Sequence, residues 1–99
     1  MSDIKVSLMK HAEKRVAQRM GLPKKAAKRQ FTLALTRGKS LRDMPVQLAY
    51  WASTMKNVHS DFEREVVMFN NTLFVYTTNG GLKTLLTVLK VPNTLSEDY

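Results

Sequence analysis

Three runs of sequence decide the fold class: Glu63-Arg64-Glu65-Val66-Val67-Met68-Phe69, Thr72-Leu73-Phe74-Val75-Tyr76-Thr77 and Leu82-Lys83-Thr84-Leu85-Leu86-Thr87-Val88-Leu89-Lys90-Val91. They are rich in Val, Phe, Tyr, Thr and Leu, residues that fit a pleated, half-buried surface. Asn70-Asn71 separates the first two, and Thr78-Asn79-Gly80-Gly81 the last two. Asn-Asn and Asn-Gly-Gly tolerate the positive φ that tight hairpin turns require. The stretch therefore predicts a three-stranded antiparallel meander.

Upstream the apolar period lengthens from two to about three and a half, the spacing of a helix face. Leu8, Met9, Ala12, Val16 and Met20 form one stripe, so a helix is expected over about 8–20, capped by Ser7 and stopped by Gly21. Pro23 suits the first turn of a second helix over 23–37, with Ala27, Phe31, Ala34 and Leu35 inward and Gly38 at its end. Ser40-Leu41-Arg42-Asp43 loosely fits a capping box, or Asp43 itself is the cap. A third helix is expected over 44–56, with Leu48, Trp51, Ala52 and Met55 inward. Residues 3–6 alternate weakly and suggest a short lead-in strand. The expected fold is α+β: N-terminal helices on one face of a twisted antiparallel sheet, the other face available to a ligand, with a fourth short strand allowed. The domain is expected to span 1–92, with 93–99 a C-terminal tail.

Composition narrows the function classes. The 99 residues carry a formal charge of +8 and 43% hydrophobic residues, enough apolar content for one packed core. The charge is uneven. Residues 1–42 hold twelve Lys/Arg against two acids, and residues 43–99 hold four against six. That asymmetry points to one basic surface that meets a polyanion, foremost RNA. There is no cysteine and there are only two histidines, which removes disulfides, thiolate metal sites and His-rich clusters. No apolar run approaches the roughly 18–20 residues of a membrane span, and no signal-peptide core follows Met1, so a cytoplasmic chain without a membrane partner is expected. P-loop, GxGxxG, GxSxG, HExxH and metal-ligand spacings are all absent, so no cofactor or metal is expected.

Chemistry-bearing residues gather in two places. His11, Arg15 and Arg19 stand four apart and climb one edge of the first helix. An imidazole moves protons near neutral pH, and guanidinium groups grip phosphate oxygens in pairs. Arg19 falls nearest the apolar stripe, where an Arg either snorkels at the core's rim or sits half-buried against an anion. Lys10, Lys14, Lys24, Lys25, Lys28 and Arg29 supply the surrounding charge. On the sheet, Thr87 is a hydroxyl in an apolar strand, either bonded to nearby backbone or facing a phosphate. Tyr76 is placed to stack on a base, with Phe74 assigned to the core. His59, in a loop, is read as a solvated histidine, with a second proton-transfer role as the alternative.

The segment Ser7 to Leu22 resembles a recurring opening: a strand, then His-Ala, an Arg four residues after the His, and Arg-x-Gly beginning eight after it. It is found in small bacterial and phage RelE-like domains of the barnase–EndoU–colicin–RelE superfamily. Those domains also end in a meander whose last strand carries a Thr-Val pair, here Thr87-Val88. The resemblance runs over about residues 5–92. It implies a helical N-terminus on a twisted antiparallel sheet of about four strands, and metal-independent RNA cleavage leaving a 2′,3′-cyclic phosphate. It assigns proton transfer to His11, phosphate and transition-state binding to Arg15 and Arg19, and phosphate or backbone positioning to Thr87. The partners it implies are RNA, including ribosome-associated mRNA, and an acidic protein or antitoxin. Two other classes share the same charge: a non-catalytic RNA-binding module, and an accessory protein that binds an acidic host protein.

Overall fold

A computed structural model describes residues 4–56 and 63–92. His59 and the expected tail 93–99 lie outside them. The chain runs β1 (Lys5–Leu8), α1 (Lys10–Met20), α2 (Lys24–Arg37), β2 (Lys39–Ser40), a 3-10 turn (Leu41–Asp43), α3 (Val46–Lys56), β3 (Glu65–Phe69), β4 (Thr72–Asn79) and β5 (Leu82–Lys90). The architecture is α+β. The sheet has five strands in the order β1-β5-β4-β3-β2.

The meander forms as its turn residues dictate. Asn70 and Asn71 have φ of 53° and 58°, and Gly80 and Gly81 have 56° and 87°. Positive φ at both central residues is the backbone of a type I′ hairpin turn, whose twist matches that of the strands it joins. The second turn is Gly80-Gly81 alone, because β4 continues through Thr78 and Asn79, paired with Lys83 and Leu82. The pairing of β4 with β5 slips between Val75 and Tyr76: Thr87 lies opposite Val75, but Leu85 opposite Tyr76. Leu86 is thus the extra residue of a β-bulge.

The N-terminus departs from the expected pattern. Residues 5–8 pair in parallel with 82–85, so the sheet is mixed rather than purely antiparallel. Met9 extends this pairing by donating its N–H to the Leu85 carbonyl at 3.2 Å. Strand pairing therefore holds Ser7, which sits opposite Thr84 instead of capping a helix. Met9 occupies the cap position of α1 without a side-chain cap bond and is half exposed. Gly21 ends α1 in the left-handed region at φ 66°, as expected.

Pro23 precedes α2 rather than entering it, and its carbonyl accepts the Ala27 N–H at 2.9 Å. Gly38 ends α2 with an ordinary φ of −76°. Close approach explains this glycine: a Cβ here would meet the Met68 carbonyl oxygen at 2.6 Å and the Val67 side chain at 2.7 Å. The expected capping box is absent. Ser40 donates its hydroxyl to the Asp43 carboxylate at 3.2 Å, 40–43 being taken up by β2 and the 3-10 turn.

Two apolar layers sandwich the sheet. Ala12 and Val16 of α1 and Ala27, Phe31 and Ala34 of α2 pack on Leu8, Val67, Phe74, Tyr76, Leu85 and Val88. Leu48 and Ala52 of α3, with Met44, pack on Val66, Met68, Leu73, Val75 and Val91 on the opposite face. Trp51 and Met55 are only partly buried against this second layer. α3 thus occupies the part of the far face formed by β3 and β4, the face expected to lie open to a ligand. No helix among the described residues is long and apolar enough to cross a membrane.

Candidate functional site

Ala12 and Val16 anchor α1 against β5, which fixes where its other side chains go. One flank faces α2, where Glu13 pairs with Lys24 at 3.1 Å. The other flank carries His11, Arg15 and Arg19. Arg15 Nε donates to His11 Nε2 at 3.3 Å, one helical turn apart and exposed. Accepting at Nε2 leaves the proton of a neutral imidazole on Nδ1. The bond couples the two groups: an imidazole protonated on both nitrogens has no lone pair to offer Arg15.

Arg19 does something else. Its Nη1 donates to the Val88 carbonyl at 2.7 Å. β1 pairs with β5 only as far as Leu85, and Arg19 reaches a β5 carbonyl beyond that point. This ties the end of α1 to the last strand. It also holds the guanidinium in one orientation while leaving further N–H donors of the fork unused by this bond.

Thr87 is not beside these groups. It lies opposite Val75, which belongs to the layer under α3, whereas Val88 and Leu85 face α1. The sheet stands between Thr87 and the His11–Arg15 pair. The bulge at Leu86 sets this parity.

Tyr76 is 8% exposed, with its ring 5.5 Å from Phe31 centroid to centroid. A buried ring offers no free face to a base, so the expected stacking role is replaced by packing in the α1–α2 core, like that of Phe74. Lys83 Nζ sits 5.4 Å from the Tyr76 ring centroid and donates to Thr78 Oγ1 at 3.0 Å. Thr78 Oγ1 in turn donates to Glu65. Burial, and secondarily the Glu65 charge, push the Tyr76 phenol above the usual tyrosine range.

The basic residues divide cleanly from the core. Lys10, Lys14, Lys25 and Arg29 are exposed and Lys28 is half-buried. None of the five makes a salt bridge among the described residues. α1 and α2 bury their inner stripes on one sheet face, so their outer sides form one cationic surface. That cationic ridge adjoins the His11–Arg15 flank.

Residue spacing gave no warning of two concavities. One, of about 70 Å³, brings Arg19 together with Lys90 and the Asn70-Asn71 turn. The other, a groove of about 450 Å³, is lined by Arg42, Lys56 and Arg64 together with Asp43 and Glu65. Among the described residues no group of three or more His, Asp or Glu side chains is placed to hold a metal ion. Comparisons of the chain with models of known families, with curated proteins and with solved structures give no match.

Proposed function

We propose that this protein binds RNA through the outer surface of α1 and α2. One observation carries the reading: Lys10, Lys14, Lys25, Lys28 and Arg29 share a helical surface where, among the described residues, Lys24 alone has an acidic partner, Glu13. Five cations left without counter-charges repel one another, a modest penalty that a row of phosphates relieves. The resemblance to RelE-like domains supports RNA as that polyanion. The test is binding of a fluorescent single-stranded RNA across a salt series. Changing Lys24, Lys25, Lys28 and Arg29 together to Gln should weaken binding, and each lost phosphate contact should remove roughly 0.7 from the log–log salt slope. An unchanged slope would mean that this surface is only solvated.

RNA cleavage is a second reading, favoured by the His11–Arg15 hydrogen bond. In that reaction Arg15 turns from His11 Nε2 to the phosphate, the freed Nε2 takes the proton from a 2′-OH, the 2′-oxygen bonds to the adjacent phosphorus, and the bond to the 5′-oxygen breaks. Water protonates the departing 5′-oxygen, leaving a 2′,3′-cyclic phosphate. Arg15 is adjacent to neutralise charge gathering on the phosphoryl oxygens. His11→Ala should slow cleavage about 10²–10⁴-fold, the scale of general acid–base catalysis, with the fold intact because His11 is exposed. Incubation with RNA in EDTA and mapping of the ends checks this; undiminished cutting by the variant would remove His11 from the reaction.

A further inference from the structure

The small cavity at the end of α1 has an unusual lining. Arg19 and Lys90 converge on it with Asn70, Asn71, Thr72 and Val88, and none of the described Asp or Glu residues contributes. Neither cation makes a salt bridge among the described residues. Two like charges facing one concavity repel, and an anion between them converts that repulsion into attraction on both sides. The larger groove lacks this single-signed character, because Asp43 and Glu65 stand among its cations.

The cavity is also held in shape. Arg19 is oriented by its bond to the Val88 carbonyl at 2.7 Å. Lys90 lies two residues beyond Val88 and opposite Thr72, on the face that α1 covers. The turn is pinned from both sides: Thr72 Oγ1 donates to the Asn70 carbonyl at 3.2 Å, and the Val91 N–H donates to the Asn71 carbonyl at 2.9 Å. Both turn residues carry side-chain amide donors. At about 70 Å³ the space is far below the roughly 300–1,000 Å³ of a site for an organic small molecule. It suits one tetrahedral oxyanion.

We infer that Arg19, Lys90 and the Asn70-Asn71 turn form a phosphoryl-group site, which in the RNA complex takes one backbone phosphate. The inference deepens the RNA-binding reading and rests on it for the source of the phosphate. Arg15 stands one helical turn before Arg19 on the same flank, next in line for a neighbouring phosphate. A strand seated here runs from the cationic ridge past His11–Arg15 to the β3–β4 turn.

The experiment uses the full chain, labelled with nitrogen-15, and two probes: a single-stranded RNA of twelve nucleotides, and inorganic phosphate. RNA should shift the side-chain amides of Asn70 and Asn71. Lys90→Gln should abolish those shifts and lower the salt slope of RNA binding by about 0.7, one single-strand phosphate contact. Lys25→Gln, remote from the cavity, should lower the slope while leaving the Asn70 and Asn71 shifts in place. If Lys25→Gln lowers the slope but Lys90→Gln does not, and RNA leaves both amides unmoved, the phosphoryl site is overturned while RNA binding stands. If RNA fails to bind at all, the RNA reading falls and the phosphate titration decides alone. Saturable amide shifts lost in Lys90→Gln then identify a site for free phosphate, and unmoved amides overturn the site.

Discussion

The two faces of the sheet are covered by helices of opposite character. α1 and α2 bury small residues and one large ring, Ala12, Val16, Ala27, Phe31 and Ala34, and turn a cationic surface outward. α3 buries Leu48 and Ala52, and its outer side is almost uncharged: Val46 is 85% exposed and Tyr50 75%, beside exposed Gln47 and Thr54. Covering a sheet requires only an inward stripe, so the outward residues of each helix are free to specialise. On α1 and α2 they concentrate positive charge. On α3 Lys56 is the one charged residue, at the last position.

Emptying each core in turn tests the two faces most severely. Phe31→Ala should cost about 3–5 kcal/mol, since the ring is fully buried against Phe74 and Tyr76. Leu48→Ala should cost about 2–5 kcal/mol on the other face, where Leu48 is 1% exposed. Denaturant titration measures both. A silent Leu48→Ala would mean that α3 is not part of the folding unit.

A smaller effect separates the turns from the layers they join. Gly80→Ala places a side chain at φ 56°, a strain of about 1–3 kcal/mol, although open space surrounds the position. A melt unchanged by Gly80→Ala would argue against the left-handed turn.

High pH acts on the α1–α2 face through Tyr76. A group whose folded-state pKa is raised contributes stability that is present below its unfolded value, near 10 for tyrosine. That contribution is lost as the pH climbs through the folded value. Tyr76 is such a group, raised by burial and then by Glu65. Stability should therefore fall with rising pH above about 10, less steeply in Tyr76→Phe than in the wild type. Equal slopes in the two proteins would remove Tyr76 as the cause.

The least effect is expected on the outside of α3. Val46→Thr and Tyr50→Ser should each change stability by no more than about 0.5 kcal/mol, because neither side chain is packed. A loss above 1 kcal/mol would show that this side of α3 is covered in solution.

Much of this protein was legible residue by residue. Local backbone chemistry marks the turns, since Asn-Asn and Gly-Gly favour positive φ wherever they occur. Side-chain periodicity marks the three helices and most of their buried residues, because a stripe at helical spacing has one way to face a core, although Leu8 falls in β1 and Met9 is half exposed. The clustering of charge in residues 1–42 needs no structure at all. What escaped depends on pairing between distant segments. Ser7 has the chemistry of a helix cap, but parallel pairing with 82–85, some seventy-five positions away, recruits 5–8 into a strand. Thr87 shares a site with His11 only in what the resemblance implies, and the bulge at Leu86 turns it to the other face, since strand period alone does not register one extra residue. Tyr76 has an aromatic ring suited to a base, and only the arrival of Phe31 against it removes that use. Arg19 belongs by spacing with His11 and Arg15. The tertiary structure gives it to Val88, Lys90 and the Asn70-Asn71 turn instead, because the end of a helix and the end of a sheet meet at a place that no local pattern specifies.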